Sequence, residues 1–146
     1  MEVIPYAGQT QLLIIGFQPG EMLLESLQKA IESQGVRNGA VVSGIGTLKT
    51  CRMHYIEHTG FPPQNRFVTL NKPLELLSVS GLIADGEPHL HITVSCGQDE
   101  VYGGHLEEGS QVLYLAEVAI LVFNECRMVR QADEERKVKL LRRMEG

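Results

Sequence analysis

The chain has 146 residues, 43% hydrophobic and 21% charged, which suits one globular domain with a real core and excludes a disordered or fibrous protein. Its net charge of -5 and pI near 5.5 exclude a surface that grips nucleic acid all over, because such affinity rests on lysine and arginine neutralising phosphates. Any DNA contact needs a local basic patch. Cys51, Cys96 and Cys126 are dispersed and form no C-x-x-C, so neither a disulfide framework nor a thiolate zinc site is expected. The N-terminus lacks a basic-then-apolar leader and no apolar run approaches about 18 residues, so the expectation is a cytoplasmic protein without membrane contact.

In chain order, Gln11–Phe17 is a short apolar, β-branched run closed by Pro19-Gly20, the pattern of a buried strand ending in a turn. From Glu21 the period changes to helical: Leu23, Leu27, Ala30 and Ile31 share one face, and Gly35 is the expected stop. Residues 39–47 read as a strand running into a glycine-rich bend. The bend is not a nucleotide loop, since Lys49 stands where G-x-G-x-x-G requires glycine and no helical pattern or G-K-[ST] follows. Lys49–His58 is extended again, with Cys51, Met53 and Tyr55 alternating against Arg52, His54 and Ile56. Further strands fall at Phe67–Leu70, Leu74–Ile83, Leu90–Cys96 and Val112–Val122, separated by turn-prone segments. These strands, with one strong early helix, predict a single α+β domain built on a largely antiparallel sheet flanked by helices. Residues 131–146 are acidic first and basic last, a polarity that suits a charged C-terminal helix or tail.

The chemistry concentrates in Pro88-His89-Leu90-His91 and Gly103-Gly104-His105. In a strand His89 and His91 point to the same face, about 6–7 Å apart. The turn signal Gly97-Gln98-Asp99-Glu100 folds a hairpin that brings His105 to the neighbourhood of His91, and Gly103-Gly104 permits a bulge that re-aims it. Three neutral imidazoles with an open position are a familiar zinc arrangement, and also suit nickel, copper or iron. Zinc is therefore the first candidate for a divalent ion at His89, His91 and His105. A lone histidine is more often a half-exposed or hydrogen-bonded sheet residue, so the trio carries the argument. His54 and His58 lie about 13 Å apart if extended and cannot share an ion, which leaves them as surface or interface histidines. Glu75 and Glu117 each interrupt an apolar strand, so they orient a ligand histidine, act as acid–base groups or face solvent. Ser43, Ser78, Ser80 and Ser95 occupy no G-x-S-x-G elbow, so a hydrolase triad is not supported.

Gly20-Glu21, Ser43-Gly44-Ile45-Gly46, residues 76–83 with their S-G-x-I ending, Pro88-His89-Leu90-His91 and Gly103-Gly104-His105-Leu106, in this order, resemble the plants-and-prokaryotes-conserved (PPC) domain over residues 8–130. The resemblance implies an antiparallel α+β fold assembled as a homotrimer, with His89, His91 and His105 as a metal-binding cluster near a subunit interface. Plant members carry an AT-hook, and no such R-G-R-P-like segment occurs in this chain. Prokaryotic members are commonly labelled DNA-binding, a label for which the acidic charge supplies no mechanism. The expected function is a trimeric metal-binding module that recruits protein partners rather than an enzyme. DNA association through the five basic residues of 136–143 ranks second, and a zinc-dependent hydrolase or lyase third.

Overall fold

Residue alternation explains most of the architecture. The computed structural model describes residues 1–144, in which β1 (Thr10–Phe17) leads to α1 (Leu23–Ser33), followed by β2 (Gly39–Ile56), β3 (Asn65–Leu70), β4 (Leu74–Ala84), β5 (Glu87–Cys96), β6 (Glu100–Leu106), β7 (Gln111–Phe123), β8 (Met128–Asp133) and β9 (Val138–Arg143). Seven strands form one sheet in the order β1-β7-β2-β4-β5-β6, with β3 on β2 and a further pairing of β2 with β6. Every pairing is antiparallel, as the sequence predicts. The expected flanking helices reduce to one, α1, among the described residues.

The helix forms where its period says. Leu23, Leu24, Leu27 and Ile31 are buried together with inward residues of the sheet, among them Phe17, Val41, Leu48, Ile83, Val118 and Ile120. Its end is set by Gly35, whose φ of +64 lies in the left-handed region that glycine enters at least cost. The two extended segments read on either side of Gly46 are one strand, β2, with register shifts at Val41/Ser43, Gly46/Leu48 and Leu48/Thr50. A Cβ at Gly44 would lie 2.6 Å from the Val79 Cβ, so this glycine serves close strand packing rather than a ligand loop.

The length of β2 lets it do two jobs. Its first half pairs with β7 and β4, and its second half pairs with β3 and, at Met53 and His54, with β6. That last pairing closes β2, β4, β5 and β6 around Met53, Leu90, Ile92, Val94 and Leu106, all at most 2% exposed. Asp85 (φ 53) and Gly86 (φ 81) make the two-residue turn between β4 and β5, as an Asp-Gly pair does in hairpins.

The C-terminal segment corrects the sequence reading. The helix or tail expected over 131–146 is the hairpin β8–β9 through Arg143, and residues 145–146 of that expectation lie outside the described residues. The acid-to-base run that mimics helix polarity is a turn: Asp133 accepts from the Arg136 backbone N–H at 2.9 Å and from its guanidinium at 2.9 Å, while Lys137 takes a φ of 57. Met128 and Leu141 on one face of the hairpin pack with Ala84, Cys126, Ile4, Tyr6 and Phe123 in a second, small core.

Candidate metal centre

Register brings four of the five histidines together. His91 pairs directly with His105 across β5–β6, and His54 pairs with His105 across β2–β6. His89 shares the His91 face two residues earlier. The His54 and His105 rings stack at 4.5 Å and 20°. His89 lies 5.0 Å from His105 and 5.5 Å from His91, and His91 lies 5.7 Å from His105, all between ring centroids. His58 is elsewhere, its Nδ1 accepting from the Gly60 N–H at 3.1 Å.

The glycines before His105 act by closeness, not by a bulge. The β5–β6 register runs unbroken from His91/His105 to Cys96/Glu100, so the expected re-aiming bulge is absent. A Cβ at Gly104 would lie 2.6 Å from the His54 carbonyl oxygen, so the missing side chain lets β6 lie against β2 and stacks the two imidazoles. Leu90 and Ile92, each 1% exposed, anchor β5 from the inside and turn His89 and His91 outward.

Glu107 ties the cluster down. Its Oε1 accepts from His54 Nδ1 at 2.6 Å and from His105 Nδ1 at 3.1 Å. Because a carboxylate can only accept, each of these imidazoles carries a proton on Nδ1, and its Nε2 is the nitrogen left to meet an ion. The backbone fixes Glu107 as well, its N–H donating to the Arg52 carbonyl at 3.0 Å. Phe67 packs against His54 at 5.3 Å.

Burial and local charge favour the neutral form of His89 and His105. Burial, then the positive charges of Arg130, His105 and His91, push His89 down to about 4, against a weaker opposing pull from Glu87. His105 is lowered chiefly by burial and then by His54, with Glu107 opposing. A metal requires deprotonated ligands, so these shifts favour ligation at neutral pH. Donor atoms of His54, His105 and Glu107 lie within 4.8 Å of one another, and the rings of His89 and His91 adjoin them. A set of imidazoles and one carboxylate fits a borderline-soft dication such as zinc.

The two carboxylates singled out from sequence are not part of this cluster. Glu75 pairs with Thr47 and Ser95, four residues and about 13 Å along β5 from His91. Glu117 pairs with Gly16 and Ile45, on strands that carry none of the clustered histidines at that level. Both are exposed, because the outer sheet face beside them is open and a carboxylate there needs no partner. Glu107 takes the orienting place instead. Its signal was present in sequence: a carboxylate two residues after His105 shares a strand face with it. For His54, local spacing offers only His58 for comparison, while its partner His105 lies about fifty residues away.

The chain is 29% identical over 126 residues to the bifunctional protein GlmU of Synechococcus sp. (strain JA-2-3B'a(2-13)), a match spanning 86% of this chain but only 19% of that protein. The metal-containing protein AF0104 of Archaeoglobus fulgidus superposes with a TM-score of 0.79 at 26% identity, covering 99% of this chain and 100% of that one. A Bacteroides thetaiotaomicron protein provisionally named as DNA-binding shares the fold, with a TM-score of 0.81 at 18% identity over 94% of this chain and 96% of that one. Residues 5–124 match the model of the Plants and Prokaryotes Conserved (PCC, or PPC) domain, the family to which this chain belongs.

Proposed function

We propose that the chain is a homotrimeric metal-binding module, with His89, His91 and His105 as ligands of a divalent ion, zinc first, and with His54 and Glu107 completing the centre. The observation that carries this reading is the pair of hydrogen bonds that His54 and His105 donate to Glu107, the carboxylate–histidine arrangement that fixes ligand orientation in metal sites. When bound, a dication at this donor set supplies Lewis acidity and an acidified water. This chain's own residues favour neutral His89 and His105, orient His54 and His105 through Glu107, and wall His54 with Phe67. Glu107, the only carboxylate hydrogen-bonded to the clustered imidazoles among the described residues, is engaged by two of them, which favours a binding role and recruitment of protein partners over turnover.

A continuous row supports the trimer. Leu12, Leu121, Ala40, Leu82 and His89 are successive cross-strand partners over β1, β7, β2, β4 and β5, so the histidines share the outer sheet face with apolar residues. On that face Leu12 is 62% exposed, Ile14 64%, Val42 57% and Ile45 50%, an apolar surface of the kind that marks protein contact. Metal analysis with sedimentation equilibrium tests both halves. One ion per chain and a mass of three chains are expected. A chain that stays metal-free in excess zinc sinks the metal centre, and a monomer at high concentration sinks the trimer.

DNA association is the second reading. Arg136, Lys137 and Lys139 pair with Asp133, Glu134 and Glu87, which leaves Arg142 and Arg143 as the cations without a carboxylate partner in that stretch among the described residues. Duplex binding that weakens steeply with salt and disappears in Arg142→Gln/Arg143→Gln supports this reading, and a flat salt response rejects it.

A further inference from the structure

The hairpin β8–β9 lies beyond the residues matched to the family, yet it reaches the histidines. Its Arg130 donates from Nη2 to the Leu82 carbonyl at 3.0 Å, and Leu82 is the direct cross-strand partner of His89. Lys139 holds the hairpin to the start of β5 through Glu87 at 2.6 Å. Met128 and Leu141, on the same hairpin face as Arg130, pack it against Ala84. The guanidinium is therefore fixed at the end of the cluster opposite His54, with β5 between.

Arg130 lacks a counter-charge. Among the described residues no carboxylate forms an ion pair with it, and its Nε is buried without a hydrogen-bond partner. Glu87, whose charge acts on Arg130, is committed to Lys139. Arg130 is partly buried and spends one Nη on the Leu82 carbonyl, which leaves the rest of its fork of donors for an anion. The histidine cluster aggravates the imbalance: a dication on neutral imidazoles beside Arg130 faces one carboxylate, Glu107, at the far side. A planar fork of donors next to a Lewis-acidic ion is the arrangement that binds an oxyanion, one oxygen on the metal and another on the guanidinium.

We propose that Arg130 makes the histidine centre a receptor for a small oxyanion, a carboxylate or a phosphate monoester, held between the bound ion and the guanidinium. This rests on the metal reading above. Anion and metal then favour each other, and by linkage each tightens the other by the same factor.

Calorimetric titration of zinc into the full chain, in buffer without added anion, with acetate and with methyl phosphate, tests this directly. Saturating anion is expected to tighten zinc about tenfold in the wild type, within the usual range of coupling between sites. The stronger of the two anions identifies the ligand class. Arg130→Gln is expected to bind zinc at least as tightly as wild type without anion, because a repelling charge is gone, and to lose the anion effect. Arg130→Lys, which keeps the charge without the fork, is expected to retain part of it and serves if the glutamine variant does not fold. Zinc binding that neither anion changes in the wild type overturns the oxyanion site alone, as does an unchanged anion effect in both variants. Absence of zinc binding in every buffer overturns the metal reading and the oxyanion site with it.

Discussion

The two faces of the seven-stranded sheet carry similar apolar residues and do opposite things with them. On the inner face Leu48, Ile83, Leu90 and Ile120 are at most 1% exposed beneath or beside α1, while on the outer face Leu12 and Ile14 are more than half exposed and share their face with the histidines. Along β5 the division runs residue by residue: His89 and His91 face out, Leu90 and Ile92 face in. Strand alternation thus separates folding from chemistry within single strands, and a one-residue slip in register would exchange the two. The outer face is free to hold imidazoles because the inner face already supplies the core.

Mutations on the inner face should be the most damaging. Leu90→Ala, between the two histidines but pointing the other way, is expected to cost about 3 kcal/mol in urea denaturation, since its cavity has little room to collapse. Ile14→Ala on the outer face should change an isolated protomer by less than about 0.5 kcal/mol. A loss at Ile14 that grows with protein concentration would show that association buries the outer face, and an equal loss at both positions at high dilution would break the comparison.

The outer face is expected to respond to ligand rather than to denaturant. His91→Ala should weaken zinc by about 100-fold, roughly 2.7 kcal/mol, while leaving metal-free stability unchanged within error, as read by calorimetry and thermal melts. Loss of metal-free stability without loss of zinc affinity would reassign His91 to a structural role. Glu107→Gln keeps the shape and an acceptor but weakens the hold on two Nδ1–H donors. It should weaken zinc by about tenfold, at the low end for residues that orient ligands. A cobalt-loaded sample with an unchanged absorption spectrum but lower affinity would mark Glu107 as a positioning residue, and a changed spectrum would mark it as a ligand.

What could be read from the chain follows contact distance. The helix was legible because Leu23, Leu27 and Ile31 repeat locally and Gly35 stops them, and His91 opposite His105 was legible because one turn, at residues 97–100, joins their strands. The return of β2 onto β6 was not, because nothing near His54 states that it pairs with a residue about fifty positions later. Glu75 and Glu117 looked anomalous only on the assumption that both faces of their strands are buried. The hairpin at 128–143 was hidden by charge: its turn run from Asp133 to Lys137 satisfies the same acid-before-base rule as a helix dipole, while the strand signal in β9 is only six residues long.

A smaller effect than the loss of a ligand or of its orienting carboxylate comes from protons. His89 is held near 4, below its ordinary value of about 6.5, by burial and by Arg130, His105 and His91, while Glu87 opposes. Between those values the unfolded chain binds a proton that the folded chain refuses, so stability of the metal-free protein is flat above about pH 7 and falls as pH drops from 6.5 towards 4. His105, lowered in the same direction, adds to the slope. The full shift would correspond to about 3 kcal/mol, but His89 keeps substantial contact with solvent, which screens the interaction and reduces the expected loss to about 1 kcal/mol. Urea midpoints at pH 7 and pH 4.5 should therefore differ measurably in the wild type and lie closer together in His89→Gln, with the remainder due to His105, whereas Leu90→Ala, acting on the other face of the same strand, should lower both midpoints and leave their difference intact. A pH slope that survives removal of His89 and His105 would move the titrating groups away from the outer face.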